Sequence, residues 1–219
     1  MKIKFKHKIY TRRGIVARIL HYYSLATFEE VLDGMSWYDS AHLFCVNTAK
    51  DFGITPIQVA GVVAALSPLQ DWEVNKANTV KFLNGDRAVH TSAQVSKAEA
   101  CLETNSPEEI FKLLSKNGVK TSQFFWNIAF PDSNKGVTID RHAIAVSVFS
   151  PSNLAPIPES YGHFTASQYK AFEEAFKRAA EIKNILPHQM QAVTWGVLRR
   201  LRGLASHKGL EINEREVAF

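Results

Sequence analysis

Residues 118–149 read GVKTSQFFWNIAFPDSNKGVTIDRHAIAVSVF and predict two helices joined by a short connection. In the first helix, apolar side chains recur at the spacing of one buried face, at Phe124, Phe125, Ile128 and Ala129. The connection 131–136, PDSNKG, ends this pattern because Pro and Gly interrupt helices while Asp, Ser and Asn bond to their own backbone. The second helix begins near Asp140 and is apolar beyond it. We expect the rest of the chain to pack around this pair.

Both predicted helix starts carry charged side chains. Unpaired N–H groups at a helix N-terminus attract anions, and Lys120 places a cation beside those of the first helix. Asp140 lies at the N-terminus of the second helix, with His142 in its first turn. Taken singly, these residues are explained as an N-cap, a solvated lysine and an ordinary helical histidine. Their joint spacing favours a phosphate-binding or catalytic site instead.

The segments GVKT (118–121) and IDRH (139–142), separated by an apolar helix and a turn, resemble the signature of the helix-hairpin-helix DNA glycosylases of the endonuclease III type. In that family a hairpin and a Lys-Thr pair precede a helix, and a Val-Asp-x-His segment carries the catalytic aspartate. Residues 56–79, PIQVAGVVAALSPLQDWEVNKANT, are similar to the family's early core helix, Leu-Ser elbow, Gln-containing loop and following helix. The resemblance covers about a third of the chain.

The chain departs from the family's pattern at two places. KNGV (116–119) stands where the family has an apolar residue followed by Gly-x-Gly, so the loop that grips a DNA phosphate is altered. The elbow is one residue shorter, which leaves the counterpart of the family's gap-filling Gln open between Leu69 and Gln70. The chain also lacks a four-cysteine motif, which excludes an iron–sulfur cluster.

The resemblance implies a mainly α, two-lobed helical fold with a central cleft, in which residues 1–219 form a single unit. One lobe would comprise 56–130 with the degenerate hairpin, and the other 14–52 together with 137–206. The implied chemistry is attack at C1′ of a flipped deoxynucleotide, with Asp140 stabilising the developing oxocarbenium charge or orienting the nucleophile. Lys120 would be a Schiff-base nucleophile if its amine is desolvated, or a phosphate contact if it faces solvent.

Other residues are candidates for contacting an extruded base or the DNA backbone. Gln191 and Trp195 lie one helical turn apart and share a face that can stack on and hydrogen-bond a base, although a buried core Trp is more usual. The predicted substrate contacts are Gln70, Trp72, His142, Gln191 and Trp195. The predicted DNA contacts are Asn117, Gly118, Thr121, Arg141, Arg199 and Arg200. The structural alternatives are that Trp72 covers the following helix and that the arginines complement a helix dipole.

Three further segments have two interpretations each. The basic alternation in 1–13 predicts an edge strand or an extended arm along phosphates, or else a frayed terminus. The long loop 150–165 is interpreted as a lid or base-reading loop, with a passive linker as the alternative. Trp37 and Tyr38 are assigned to core packing in preference to a pocket wall.

Composition limits the partners and the compartment. The chain has 219 residues, 46% of them hydrophobic, and a net charge of +5, which permits a nucleic-acid partner without demanding one. The two cysteines, Cys45 and Cys101, form no disulfide framework, so a reducing cytoplasm of a bacterium or phage-infected host is expected. No apolar run is long enough for a membrane span. We expect DNA as the partner, no metal and no cofactor, and the sequence indicates no protein partner.

Two alternatives to base excision come from the same sequence. The first is a base-tailoring enzyme, similar to the bacteriophage members of this superfamily that attach amino acids to activated pyrimidines in hypermodified DNA. Such an enzyme changes a base substituent and leaves the glycosidic bond intact. The second is a DNA-binding module that keeps the fold without the chemistry.

Overall fold

The computed structural model describes residues 2–116 and 118–203. Its elements are β1 Lys2–Phe5, β2 Lys8–Thr11, α1 Arg12–Ser24, α2 Phe28–Phe52, α3 Pro56–Leu66, α4 Trp72–Leu83, α5 Ser92–Leu102, α6 Pro107–Ser115, α7 Val119–Ala129, α8 Arg141–Val148, a 3₁₀ turn Glu159–Gly162, α9 Ala166–Lys183 and α10 Pro187–Leu201. Helices therefore account for most of the described residues, and the prediction of a mainly α fold is confirmed. The glycosylase-like arrangement of two lobes around a cleft stays a prediction.

Side-chain caps fix where many of the helices begin. A hydroxyl or carboxyl oxygen accepts a hydrogen bond from the first turn at Thr11, Thr27, Thr55, Ser106, Asp140 and Thr165. Each such cap typically stabilises a helix by about 1 kcal/mol. Helix α3 begins after the N-cap Thr55, and α2 ends at Gly53, which has a φ of 64°.

The buried apolar residues form two separate clusters. The first cluster contains side chains of α2 to α7 and is centred on α3, whose residues from Val59 to Leu66 are all buried. The second cluster contains side chains of β1, α1, α8, α9 and α10, among them Phe5, Ile144 and Phe172. Residues 56–79 therefore contribute to the first cluster, whereas 118–149 contribute to both.

Helix α2 lies between the two clusters. Its buried residues, including Tyr38, Ala41 and Cys45, belong to the first cluster, and α2 packs against α3 and α7. It also packs against α10, and a Cβ at Gly34 would lie 2.6 Å from the backbone nitrogen of Val193. The buried apolar side chains of α2 thus lie with those of 56–130 while the helix also packs on 137–206, and the division into lobes stays a prediction.

The N-terminal residues form an antiparallel hairpin, so one of the two interpretations of 1–13, an edge strand, matches the structure. Lys2 pairs with Thr11 and Phe5 with Lys8, which leaves a two-residue turn. Ile3 and Phe5 are buried in the second cluster, which docks the hairpin on the helices.

Candidate active site

A cavity of about 700 Å³ is lined by elements from both hydrophobic clusters. Side chains of α2, α4 and α7 line one part of it, and side chains of α8, α10 and the 3₁₀ turn line another. The cavity brings together the following predicted site residues: Gln70, Trp72, Lys120, Asp140, Arg141, His142, Gln191, Trp195 and Arg199. Residues as far apart in sequence as Gln70 and Arg199 thus face the same space.

The other predicted contacts do not line this cavity. Gly118 precedes α7 with a φ of 130°, and Thr121 is half-buried in the first turn of that helix. Arg200 binds Glu30, with Nε 2.7 Å from Oε1, and donates a second hydrogen bond to the Leu25 carbonyl. Arg200 therefore ties α10 to the start of α2. Asn117 lies outside the described residues.

Asp140 is held at the N-terminus of α8, as predicted. Its Oδ1 accepts hydrogen bonds from the backbone N–H groups of His142 at 3.0 Å and Ala143 at 2.7 Å. Its Oδ2 lies 3.2 Å from Nδ1 of His142. Burial alone would raise the pKa of Asp140, but the hydrogen bond and charge of His142, the charge of Lys120 and the Ala143 N–H together lower it. The carboxylate is therefore ionised at neutral pH while 19% of its side chain stays exposed to the cavity.

A buried extended segment, Val137 to Ile139, leads into Asp140 and fixes its position. The Tyr169 hydroxyl donates to the Val137 carbonyl at 2.6 Å and accepts from the Ile139 N–H at 3.2 Å. This hydroxyl satisfies two backbone groups that would otherwise be buried without partners. Tyr169 is itself 3% exposed, so a buried side chain of α9 holds the backbone that leads into Asp140.

His142 follows Asp140 and faces an aromatic side chain. With Nδ1 engaged by the Asp140 carboxylate, the Nε2 atom is the ring nitrogen left to act on a ligand. The imidazole meets the ring of Trp195 edge to face, with centroids 6.1 Å apart. The Arg199 guanidinium lies over the Trp195 ring, 4.7 Å from its centroid. The wall formed by α8 and α10 thus combines charge with one flat surface.

The wall formed by α2, α4 and α7 is aromatic, and the sequence predicted a ligand contact at only one of its three rings, Trp72. Trp37 lies 5.2 Å from Trp72 and 5.9 Å from Phe124, measured between ring centroids. All three rings line the cavity. Trp37 packs against the first cluster, as predicted, and its ring also lines the cavity. Trp72 lines the cavity and meets Phe44 of α2 edge to face, and its role as a substrate contact stays a prediction.

A polar network forms part of the cavity lining. Thr138 Oγ1 lies 3.2 Å from the buried Tyr38 hydroxyl, which donates its single proton to Gln191 Oε1 at 3.4 Å. Burial raises the pKa of Tyr38 to about 12, against the hydrogen bonds from Thr138 and Asn127, so the phenol stays protonated. Because Oε1 of Gln191 is engaged by Tyr38, its amide NH₂ is the group available to a ligand. Tyr38, also assigned to the core, therefore orients a predicted substrate contact.

The turn between α3 and α4 projects one apolar side chain at the cavity rim. Leu69 has a φ of 62° and is 99% exposed, whereas Gln70 is half-buried. A left-handed leucine costs about 1–2 kcal/mol relative to an ordinary conformation. Leu69 is thus the one of the two that extends away from the protein, and the counterpart of the family's gap-filling residue stays open between them.

Charged residues from two further segments complete the rim. Burial lowers the pKa of Arg199, and the charge of Asp71 on the α4 side opposes this effect. The 3₁₀ turn contributes Glu159 and His163. Residues 159–163 of the loop 150–165 thus border the cavity, and its interpretation as a lid or base-reading loop stays a prediction.

The described residues offer little for thiol or metal chemistry. Cys45 and Cys101 are buried free thiols, and burial raises the pKa of each to about 12. Within 2–116 and 118–203, no cluster of three His, Cys, Asp or Glu side chains has the arrangement to hold a metal ion. In the same ranges, every helix is too short or too polar to cross a membrane.

Comparison with known proteins identifies the family. A family model described as a family of unknown function (DUF7178) matches residues 1–202. The chain belongs to this family. Neither the curated proteins nor the solved structures contain a match to the chain. The resemblance to the DNA glycosylases therefore stays a prediction, and the geometry of the cavity carries the functional argument.

Proposed function

We propose that this DUF7178 protein is a DNA base N-glycosylase-like enzyme that takes a flipped, modified or damaged nucleotide into its cavity. The observation that carries the proposal is an ionised carboxylate, Asp140, in a cavity that is also lined by aromatic rings. A flat, uncharged base suits the aromatic wall. A sugar that develops positive charge suits the carboxylate.

The size of the cavity fits a nucleotide. A cavity of about 150 Å³ holds a benzene ring, whereas this cavity has about 700 Å³. It therefore has room for a base together with its sugar and a phosphate. Trp37, Trp72 and Phe124 offer ring surfaces on one side and Trp195 on the other. Stacking on such side chains contributes about 1–3 kcal/mol per base and tolerates different bases.

Asp140 and His142 divide the chemistry. As the C1′–N bond breaks, its electron pair leaves with the base, and the Asp140 carboxylate stabilises the cation that develops at the sugar. A water molecule then forms the new C1′–O bond and gives a proton to Nε2 of His142. Asp140 holds His142 in the required tautomer through Nδ1. The departing base takes up one proton from solvent and leaves as the free base, and His142 then returns its proton to solvent, so the net reaction consumes one water molecule.

Lys120 serves as a phosphate contact in this proposal. Its side chain is exposed at the start of α7, where the helix N-terminus also favours an anion. A Schiff-base nucleophile needs an uncharged amine, which burial would supply and exposure does not. We therefore expect base removal without lysine-dependent strand cleavage. Borohydride trapping on abasic duplex tests this, because a covalent adduct that Lys120→Ala abolishes would assign the nucleophilic role.

Leu69 is the residue that would fill the gap left by the flipped base. Enzymes that act on a base must extract it from the stack, at a cost of a few kcal/mol. An exposed apolar side chain beside the cavity can enter the vacated space and replace part of the lost stacking. Arg141 and Arg199, on the same rim, would contact the flanking phosphates.

The test is a panel of duplexes that each carry one modified or damaged base, with free bases and abasic sites quantified after incubation. Base release by the wild type, lost in Asp140→Asn with DNA binding retained, supports the proposal. Asn remains a good N-cap, so this variant keeps the start of α8. Equal behaviour of the two proteins would instead indicate a DNA-binding module without chemistry.

One observation favours a second candidate, a base-tailoring enzyme. The cavity exceeds the needs of a base, and its 3₁₀ turn supplies a second pair of titratable side chains, Glu159 and His163. Such a pair could handle a group that is added to an activated pyrimidine. Mass spectrometry of digested DNA separates the candidates, because tailoring raises the mass of a nucleoside and excision removes the base.

A further inference from the structure

The net positive charge of the chain comes entirely from its first 13 residues. They contain six lysines and arginines and no aspartate or glutamate: Lys2, Lys4, Lys6, Lys8, Arg12 and Arg13. The chain has 26 cationic and 21 acidic residues in total, so the remaining residues hold 20 against 21 and have a net charge of −1. A modest overall charge therefore conceals one strongly basic segment.

This basic segment is folded and docked on the helices. The Phe5 ring is 1% exposed and meets Tyr161 and Phe172 edge to face, with centroids 5.2 and 5.5 Å away. Gln168 donates from Nε2 to the Lys4 carbonyl at 2.8 Å. These contacts involve β1, α9 and the 3₁₀ turn. The hairpin thus presents its charges from a fixed position, unlike a frayed terminus.

The docked position is beside the candidate active site. Lys6 lies in the hairpin turn, and its Nζ donates to the carbonyl of His163, 3.4 Å away. His163 lines the cavity. Lys6 has a φ of 53°, a conformation in which glycine is less strained than lysine. The chain therefore places a cation, at some conformational cost, at the junction between the hairpin and the cavity rim.

The outward lysines follow the period of a strand. Lys2 and Lys4 are exposed, whereas the alternate residues Ile3 and Phe5 are buried. Residues two apart on a strand are about 6.8 Å apart, and one DNA strand carries a phosphate for about every 3.4 Å of helix axis. Lys2 and Lys4 can therefore meet two different phosphates of one strand.

We propose that the hairpin of residues 2–11 is a second nucleic-acid contact, which binds the phosphate backbone of duplex DNA beside the nucleotide held in the cavity. The identity of this partner rests on the proposed function. The hairpin supplies affinity without sequence preference, because lysine–phosphate contacts release counterions and read no base. The cavity supplies the choice of nucleotide.

The experiment compares two triple variants that remove equal charge. Lys2→Gln, Lys4→Gln and Lys8→Gln change the hairpin and leave Lys6 in place. The matched control changes the exposed lysines Lys50, Lys81 and Lys112, which lie outside both the hairpin and the cavity lining. Binding to a short unmodified duplex is measured by fluorescence anisotropy over a range of salt concentrations. Circular dichroism on heating checks that each variant is folded.

For the hairpin variant we expect the slope of log K against log salt to fall by about 2 to 3, because each lost phosphate contact removes about 0.9. For the control we expect a change of about 1 or less. Equal slopes for the two variants would overturn the inference. So would hairpin-dependent binding to vesicles of equal parts phosphatidylserine and phosphatidylcholine with no binding to DNA, since the hairpin would then contact membranes.

Base release by the wild type is measured in parallel and separates the two proposals. Release with equal salt slopes leaves the proposed function standing and removes the hairpin contact. Hairpin-dependent binding without any base release or modification leaves the hairpin contact standing and removes the proposed chemistry. A wild type that binds no DNA overturns both.

Discussion

The two walls of the cavity differ in what holds them in place. The wall of α8 and α10 carries Asp140, which is fixed by hydrogen bonds with defined directions from His142 and Ala143. The wall of α2, α4 and α7 carries Trp37, Trp72 and Phe124, which are held by contacts between rings. Hydrogen bonds fix an atom within tenths of an ångström, whereas ring packing fixes a surface. Chemistry is thus expected on the first wall and binding on the second.

The largest expected effect removes the charge from the first wall. Asp140→Asn keeps the N-cap but loses the carboxylate charge, so we expect the rate of base release to fall by about a hundredfold to a thousandfold. Affinity for the substrate duplex should stay close to that of the wild type. Single-turnover kinetics and anisotropy measure the two quantities. A loss of affinity as large as the loss of rate would show that this wall also binds.

The second effect is the response of the contact between α10 and α2 to acid. His188 is 2% exposed and meets Tyr38 edge to face at 4.9 Å. Burial lowers the pKa of His188 to about 4, despite opposing effects of the Ser133 and Pro131 backbone and of Asp132. Between pH 6.5 and about 4 the unfolded chain binds a proton that the folded chain does not, so stability falls as pH falls.

We expect this histidine to account for about 2 to 3 kcal/mol of stability lost from pH 7 to pH 4. Denaturant unfolding at several pH values measures the loss for the wild type and for His188→Gln, which should lack most of it. His7→Gln, which removes an exposed histidine, is the control. If His188→Gln keeps the full pH dependence of the wild type, other groups dominate the acid response.

The third effect concerns stacking on the aromatic wall. Trp72→Ala removes a ring that contacts Trp37 and the cavity, so we expect affinity for the substrate duplex to fall by about 5-fold to 150-fold. Trp72→Phe should recover most of this affinity. Trp126→Ala is the control, because Trp126 packs on Phe130 outside the cavity lining. If Trp72→Ala instead lowers the rate constant at saturating substrate and leaves the affinity unchanged, the roles of the two walls are reversed.

The first wall could be predicted from sequence to a greater extent than the second. Asp140 and His142 are neighbours along the chain, and an aspartate before an apolar helix is a local signal. The signal for Trp37 is ambiguous, because an aromatic residue on a helical face packs equally well in a core or against a cavity. The Tyr38 contact with Thr138 joins residues 100 positions apart, and no local pattern contains that information.

The same limit explains the arginines at the end of α10. Arg199 and Arg200 are adjacent and identical in type, and both were predicted to contact DNA. In the structure Arg199 lines the cavity, whereas Arg200 binds Glu30, which lies 170 positions away. The direction of each side chain depends on how α10 is rotated against α2. That rotation is set by packing such as the close approach of Gly34 to Val193.

The smallest expected effect on stability concerns the rim between the walls. Leu69→Gly relieves the strain of a left-handed leucine, about 1–2 kcal/mol, but adds the backbone entropy of glycine, about 0.5–1 kcal/mol. We therefore expect a melting temperature equal to that of the wild type or slightly higher.

If Leu69 fills the gap left by a flipped base, base release from duplex DNA should fall while release from single-stranded DNA changes little, since a single strand has no stack to fill. The control is Leu154→Gly, which changes an exposed leucine in a loop. Leu43 is also exposed, but it is a poor comparison because it lies within α2. A variant that is more stable and equally active on both substrates would mean that the strain at Leu69 has no role in extracting the base.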